Sequence, residues 1–201
     1  AEFTITIEGK GGHAAMPHTT IDPIVASSQL VFALQTIAAR NVDPIDSAVV
    51  SVTKFHAGDA YNVIPQTAEI AGTVRTLREE VAEGVFARMR TICDGIAAAT
   101  GTSMKIAIDI NYPVTVNDPR ETSFVAEVAS EIAGTPNVET DVAPMMGGED
   151  FSYMLIERPG AMIFSGNGDT AGLHNPAYDF NDELIPHGIS YWVRLVEKAL
   201  A

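Results

Sequence analysis

Five side chains of types able to do chemistry stand out: His13, Asn62, Arg75, Glu149 and His174. His13 lies in Gly9-Lys10-Gly11-Gly12-His13-Ala14-Ala15-Met16-Pro17-His18, where three glycines in four positions allow a sharp turn and close approach to another group. Flanked by glycine and alanine, its imidazole is unshielded and able to donate a hydrogen bond or change charge near neutral pH. The alternative is a plain Gly-rich turn carrying an incidental histidine, since short glycine motifs are weak evidence. His174 sits in Gly172-Leu173-His174-Asn175-Pro176, a loop composition suited to function in open α/β sheets. A neutral ring nitrogen there can bind metal, but a zinc site needs at least three protein ligands. Asp169, Asp179, Glu149 and Asp150 are the donors considered with it, and there is no His-Glu-x-x-His and no cysteine pair.

Glu149 and Asp150 follow Gly147-Gly148 at the predicted start of a helix, where carboxylates serve equally as dipole-complementing residues. Arg75 falls on the polar side of a predicted strand, able to grip a carboxylate with its planar fork or to stand as a surface arginine. Asn62 can hold a ligand or cap its own loop.

Composition restricts the classes open to such a site. Of 201 residues 46% are hydrophobic and 19% charged, which suits a globular chain rather than a disordered one. A formal net charge of -14 argues against nucleic acid as partner, because phosphate neutralisation needs clustered Lys and Arg. No apolar run approaches the ~20 residues of a membrane span. The single cysteine, Cys93, excludes an internal disulfide and fits a reducing, cytoplasmic setting. Its place beside Ile92 and Ile96 in a helical pattern predicts a core position. Ala1-Glu2-Phe3 enters a predicted strand at once, so the N-terminus is expected to be incomplete.

The elements that must position these residues are readable from periodicity. Phe3, Ile5 and Ile7 alternate with polar neighbours in a strand. Asp22-Pro23 opens a helix carrying Ala26, Leu30, Ala33, Leu34 and Ile37 on one face. A strand over 48–55 precedes a long loop, His56 to Pro65, and then a strand burying Ala68, Ile70, Gly72 and Val74. Val81, Val85, Met89, Ile92 and Ile96 stripe a second helix stopped by Gly101. Met104, Ile106, Ile108 and Ile110 form a last strand. The order is β-α-β-β-α-β, the ferredoxin-like arrangement, over residues 1–113. Residues 114–201 read as an incomplete α/β segment. It has a helix ended by Gly134, strands at 138–142 and 161–164, a short helix after Gly147-Gly148, and a last helix with Ile185, Ile189, Trp192 and Val196 inward. So small a block cannot bury its own helices, and an exposed apolar face is expected.

Several motifs then agree in order: Gly11-Gly12-His13-Ala14-Ala15-Met16-Pro17-His18, Tyr61-Asn62-Val63-Ile64-Pro65, Gly72-Thr73-Val74-Arg75-Thr76, Met146-Gly147-Gly148-Glu149-Asp150-Phe151 and Leu173-His174-Asn175-Pro176. Together they resemble the metal-dependent amidohydrolases of the aminoacylase, hippurate hydrolase and zinc carboxypeptidase family. The resemblance implies an α+β chain with a ferredoxin-like lid (dimerisation) domain at 1–113, followed at 114–201 by the C-terminal part of a catalytic domain. It implies a parent enzyme that cleaves N-acyl amino acids or related amides with two divalent ions (Zn, Mn, Co or Ni) and forms a homodimer through the lid.

By residue, the resemblance makes His13 the catalytic lid histidine that steadies the oxyanion in the partner subunit's active site. Asn62 and Arg75 become substrate-binding residues, Arg75 for the carboxylate. Gly148 and Glu149 match a segment lining the substrate pocket, and His174 matches the last metal ligand. The family's other metal ligands and its catalytic glutamate precede the lid, in a His-x-Asp or Cys-Gly-His-Asp stretch and a Glu-Glu pair that have no counterpart here. The chain by itself is therefore expected to be inactive and to bind no metal stably. The alternative reading is a non-catalytic dimerisation or ligand-binding module. Asn111-Tyr112-Pro113 stands where the folate-cleaving branch has an arginine, which leans toward the N-acyl amino acid branch.

Overall fold

The computed structural model describes all residues, 1–201, in two compact units. The first is Ala1–Val114 with Met146–Gly148; the second is Thr115–Met145 with Glu149–Ala201.

The first unit runs β1 (Glu2–Glu8), β2 (Gly12–His13), α1 (Pro23–Arg40), β3 (Ala48–Ala57), β4 (Val63–Ile64), β5 (Thr67–Thr76), α2 (Glu79–Thr100) and β6 (Ser103–Asp109). Its main sheet has the order β3-β5-β1-β6, every neighbouring pair antiparallel. Alternation decides which face is covered. Phe3, Ile5 and Ile7 of β1 and Ala68, Ile70 and Val74 of β5 are buried with Leu30, Leu34 and Ile37 of α1 and Val85, Met89 and Cys93 of α2. Each fully buried Leu or Ile side chain stabilises such a core by about 1.5–3 kcal/mol relative to exposure. Thr6, Glu69 and Lys105, aligned across three strands, face the open side.

Local chemistry sets the ends of the helices. The Asp22 carboxylate accepts from the Ile24 N–H at 2.8 Å, and Pro23 supplies the first helical residue. Gly101, at φ 76°, ends α2 in the left-handed region that glycine enters without a Cβ penalty. Burial, with Asp94 as the lesser cause, pushes the Cys93 thiol up to about 11, so it stays a neutral core group.

The loop expected from His56 to Pro65 is shorter than its composition suggests. β3 continues through His56 to Ala57, with a register shift between Val52 and Lys54, and Val63-Ile64 pair with Gly12-His13.

The second unit holds α3 (Pro119–Ala133), α4 (Phe151–Glu157) and α5 (Leu184–Ala199) and no strand. The strands expected at 138–142 and 161–164 are absent. An apolar run favours extended backbone, but a ladder needs a neighbour to receive its hydrogen bonds. Asn117 takes that place for the second segment: its amide donates to Met162 O and accepts from Met162 N–H, both at 2.9 Å. The inner face expected for α5 is also corrected. Tyr191 and Leu195 pack with Val125 and Val128 of α3, while Ile185, Ile189, Trp192 and Val196 are exposed. Arg194 and Lys198 of α5 both engage Glu131 of α3.

Candidate functional site

The Gly-rich segment after β1 is held as a small two-stranded ribbon. Gly12 pairs with Ile64 and His13 with Val63, and the Ala14 N–H donates to Asn62 O at 3.0 Å. His13 and Asn62, 49 positions apart by their numbers, are thereby brought to one exposed rim of the first unit. A residue passed over in the sequence, Gln66, fastens the base of this ribbon. Its Nε2 donates to Gly9 O at 2.8 Å and its Oε1 accepts from the Gly11 N–H at 2.9 Å. The available signal was its position directly after Tyr61-Asn62-Val63-Ile64-Pro65, where a side-chain amide can satisfy both backbone senses at once.

The ring of His13 is oriented as well as exposed. The Ala15 N–H donates to His13 Nδ1 at 3.1 Å. An accepting Nδ1 fixes the neutral imidazole in the tautomer that carries its proton on Nε2, so the ring presents a donor at its outer nitrogen. Such a donor can bind a carbonyl oxygen or an anion.

Arg75 lies on β5 opposite Val49 of β3, on the face away from the helices, and is half-buried. Gly148 belongs to the same unit, and a Cβ built on it would fall 2.7 Å from Arg75 Nη1. Glu149 belongs to the second unit, two residues before α4. Its side chain does not cap that helix, and neither does that of Asp150; the Glu149 carbonyl instead accepts from Ser152 Oγ at 2.6 Å.

His174 is exposed in the second unit and has φ 64°, the one non-glycine residue of the chain in the left-handed region. Asn175 stabilises this turn: its N–H donates to Gly172 O at 3.2 Å, and its side chain accepts from the Ala177 N–H at 2.9 Å. Backbone held in that region is associated with functional loops. No three His, Cys, Asp or Glu side chains gather around His174 or elsewhere as a metal-binding group. A single imidazole does not satisfy the three protein ligands a zinc centre requires.

A sheet-and-helix unit with an oriented imidazole at its rim, followed by a helical unit with a second imidazole on a left-handed loop residue, defines a mixed α/β chain. The chain belongs to peptidase family M20/M25/M40, whose model matches residues 8–198. It is 40% identical over 198 residues to a hippurate hydrolase of Campylobacter jejuni, covering 98% of this chain and 52% of that protein. It is 39% identical over 191 residues to an N-acetyldiaminopimelate deacetylase of Streptococcus thermophilus, covering 94% of this chain and 50% of the relative. Among solved structures, a dinuclear metal-binding peptidase of the M20 family from Bacillus subtilis superposes with a TM-score of 0.75 at 31% identity, over 96% of this chain and 48% of that one. The chain spans about half the length of the curated relatives it matches. No helix is long and apolar enough to cross a membrane.

Proposed function

We propose that this chain supplies the ferredoxin-like lid and the C-terminal catalytic segment of an amidohydrolase that cleaves N-acyl amino acids. The observation that carries this reading is the ribbon that sets His13, with an outward Nε2 donor, beside Asn62. As the amide carbon turns tetrahedral, its oxygen gains negative charge. A fixed N–H donor binds that oxygen more strongly in the transition state than in the substrate, which is what accelerates the step. Arg75 receives the carboxylate of the amino acid product half, and Asn62 holds the acyl amide. Gly148 and Glu149 are the further residues this reading gives to substrate binding. The substrate class agrees with relatives known as a hippurate hydrolase, an N-acetyldiaminopimelate deacetylase and an N-acetylcysteine deacetylase.

His174 is the residue this chain would offer to the family's two divalent ions, which supply an activated water when bound. On this reading the isolated chain is inactive. In a polypeptide of the relatives' full length carrying this segment, His13→Ala lowers kcat for hippurate by about 10²–10³-fold, the effect of losing an oxyanion donor. Unchanged kcat in that variant rejects the assignment. The 201-residue chain turns over neither hippurate nor N-acetyl amino acids with Zn²⁺, Mn²⁺ or Co²⁺ added.

The same reading makes the first unit a homodimerisation domain. Between Pro23 and Arg40, α1 carries no charged residue, yet Phe32 is 80% exposed and Val25 53%. An uncharged outer helix face is what a buried partner surface requires. Sedimentation gives a dimer for this chain and a monomer for Phe32→Glu; a monomeric parent chain removes the lid as the dimer contact.

A further inference from the structure

Gly147 and Gly148 are adjacent, and their surroundings differ. Neither has positive φ, so backbone conformation does not demand glycine at either position. A Cβ built on Gly147 meets nothing within 4 Å. A Cβ built on Gly148 falls 2.7 Å from Arg75 Nη1, 3.8 Å from Arg75 Cζ and 3.3 Å from Tyr112 Cδ2. The guanidinium thus occupies the space that a side chain at this position would fill.

Arg75 is also unusual as an arginine. It is half-buried, and no hydrogen bond or salt bridge within the chain engages its guanidinium. A charge partly removed from water without a carboxylate partner retains its capacity for one. The fork has five N–H donors in a fixed plane, so its use for bidentate recognition depends on where that plane lies.

We propose that Gly148 is a positioning residue, whose missing side chain is the slot that holds the Arg75 guanidinium in place for an anionic group. The identity of that group as the carboxylate of an N-acyl amino acid rests on the reading given above. Ordinary contact begins near 3.5 Å, so a methyl at Gly148 drives the guanidinium back by roughly 1 Å. The end of an arginine moves easily, so the displacement leaves the fold intact and changes the geometry of recognition.

The test uses the ¹⁵N-labelled 201-residue chain, with the Arg75 Nε–H resonance assigned by its loss in Arg75→Lys. Gly148→Ala moves that resonance and leaves the melting temperature unchanged, while Gly147→Ala does not move it. Titrated with N-acetylglycine, the Gly148→Ala chain binds at least threefold more weakly than the parent, and binding of the neutral N-acetylglycinamide is unaltered. A resonance that stays in place in Gly148→Ala, or moves equally in both variants, overturns the proposal. So does a lowered melting temperature, which would make Gly148 a packing residue. If the resonance moves only in Gly148→Ala but no chain prefers N-acetylglycine to its amide, the positioning role stands and the carboxylate reading of Arg75 falls.

Discussion

At the scale of single residues, the informative contact is the Ala15 N–H on His13 Nδ1. It makes the tautomer a property of the backbone rather than of a ligand. Two-bond ¹H–¹⁵N spectra of the free chain should give His13 as the Nε2-protonated form when neutral; a predominance of the Nδ1-protonated form contradicts the geometry. Composition around the histidine announced an exposed ring and a turn. It could not announce the tautomer, which follows from the path of two further residues. Gln66 was illegible for a related reason: an isolated glutamine has no periodicity, and its value lies in facing Gly9 O and Gly11 N–H together. Each exposed hydrogen bond contributes about 0.5–1.5 kcal/mol net. Gln66→Ala therefore costs roughly 1–3 kcal/mol for the two bonds, and amide exchange at Gly11 speeds up while that in β1 does not. Equal acceleration in both would indicate global destabilisation instead.

Among elements, the long strands and both helices of the first unit were legible because each has one wet face and one dry face. Thr4 and Thr6 between Phe3, Ile5 and Ile7 state the pleat directly. The two-residue strands β2 and β4 were not, since two residues carry no period. In the second unit the same rule misled: the stripe Ile185, Ile189, Trp192, Val196 reveals that one side of α5 is apolar, not that this chain covers it. What joins α5 to α3 is partly ionic. Hydrogen bonds from Lys198 first and Arg194 second hold the Glu131 carboxyl below the usual glutamate range. A carboxyl with a lowered folded value adds stability above its ordinary pKa and loses it as pH falls through the folded value. The second unit should therefore loosen as pH drops below about 4.5, the ordinary glutamate value. Glu131→Gln removes that portion of the acid transition, and an identical acid profile in the variant refutes the clasp.

For the molecule as a whole, the two units differ sharply in what they bury. The first has a continuous core from β1 through α2, whereas the second centres on Val125, Val128 and Tyr191. Phe164, Leu173, Ile189, Trp192 and Val196 remain exposed in the second unit. Large apolar side chains exposed together are characteristic of interaction faces. The chain should bind 1-anilinonaphthalene-8-sulfonate in the absence of denaturant, with Trp192→Lys together with Ile189→Lys reducing the signal several-fold; no dye binding by the parent chain contradicts the exposed stripe. The first unit responds to alkali instead. Burial and Asp94 raise Cys93 to about 11 from an ordinary 9.0, so the folded state keeps a proton that the unfolded state sheds between those values. Its stability falls as pH rises through that window.

The chain has one tryptophan and one cysteine, and they lie in different units: Trp192 in α5, Cys93 in α2. Each unit thus carries its own built-in probe, one optical and one chemical. On gentle heating, indole emission should change while the sulfhydryl still resists a maleimide, because reagent reaches it only when the larger core opens. Local melting at one end and global unraveling at the other can then be timed separately in a single unmodified polypeptide.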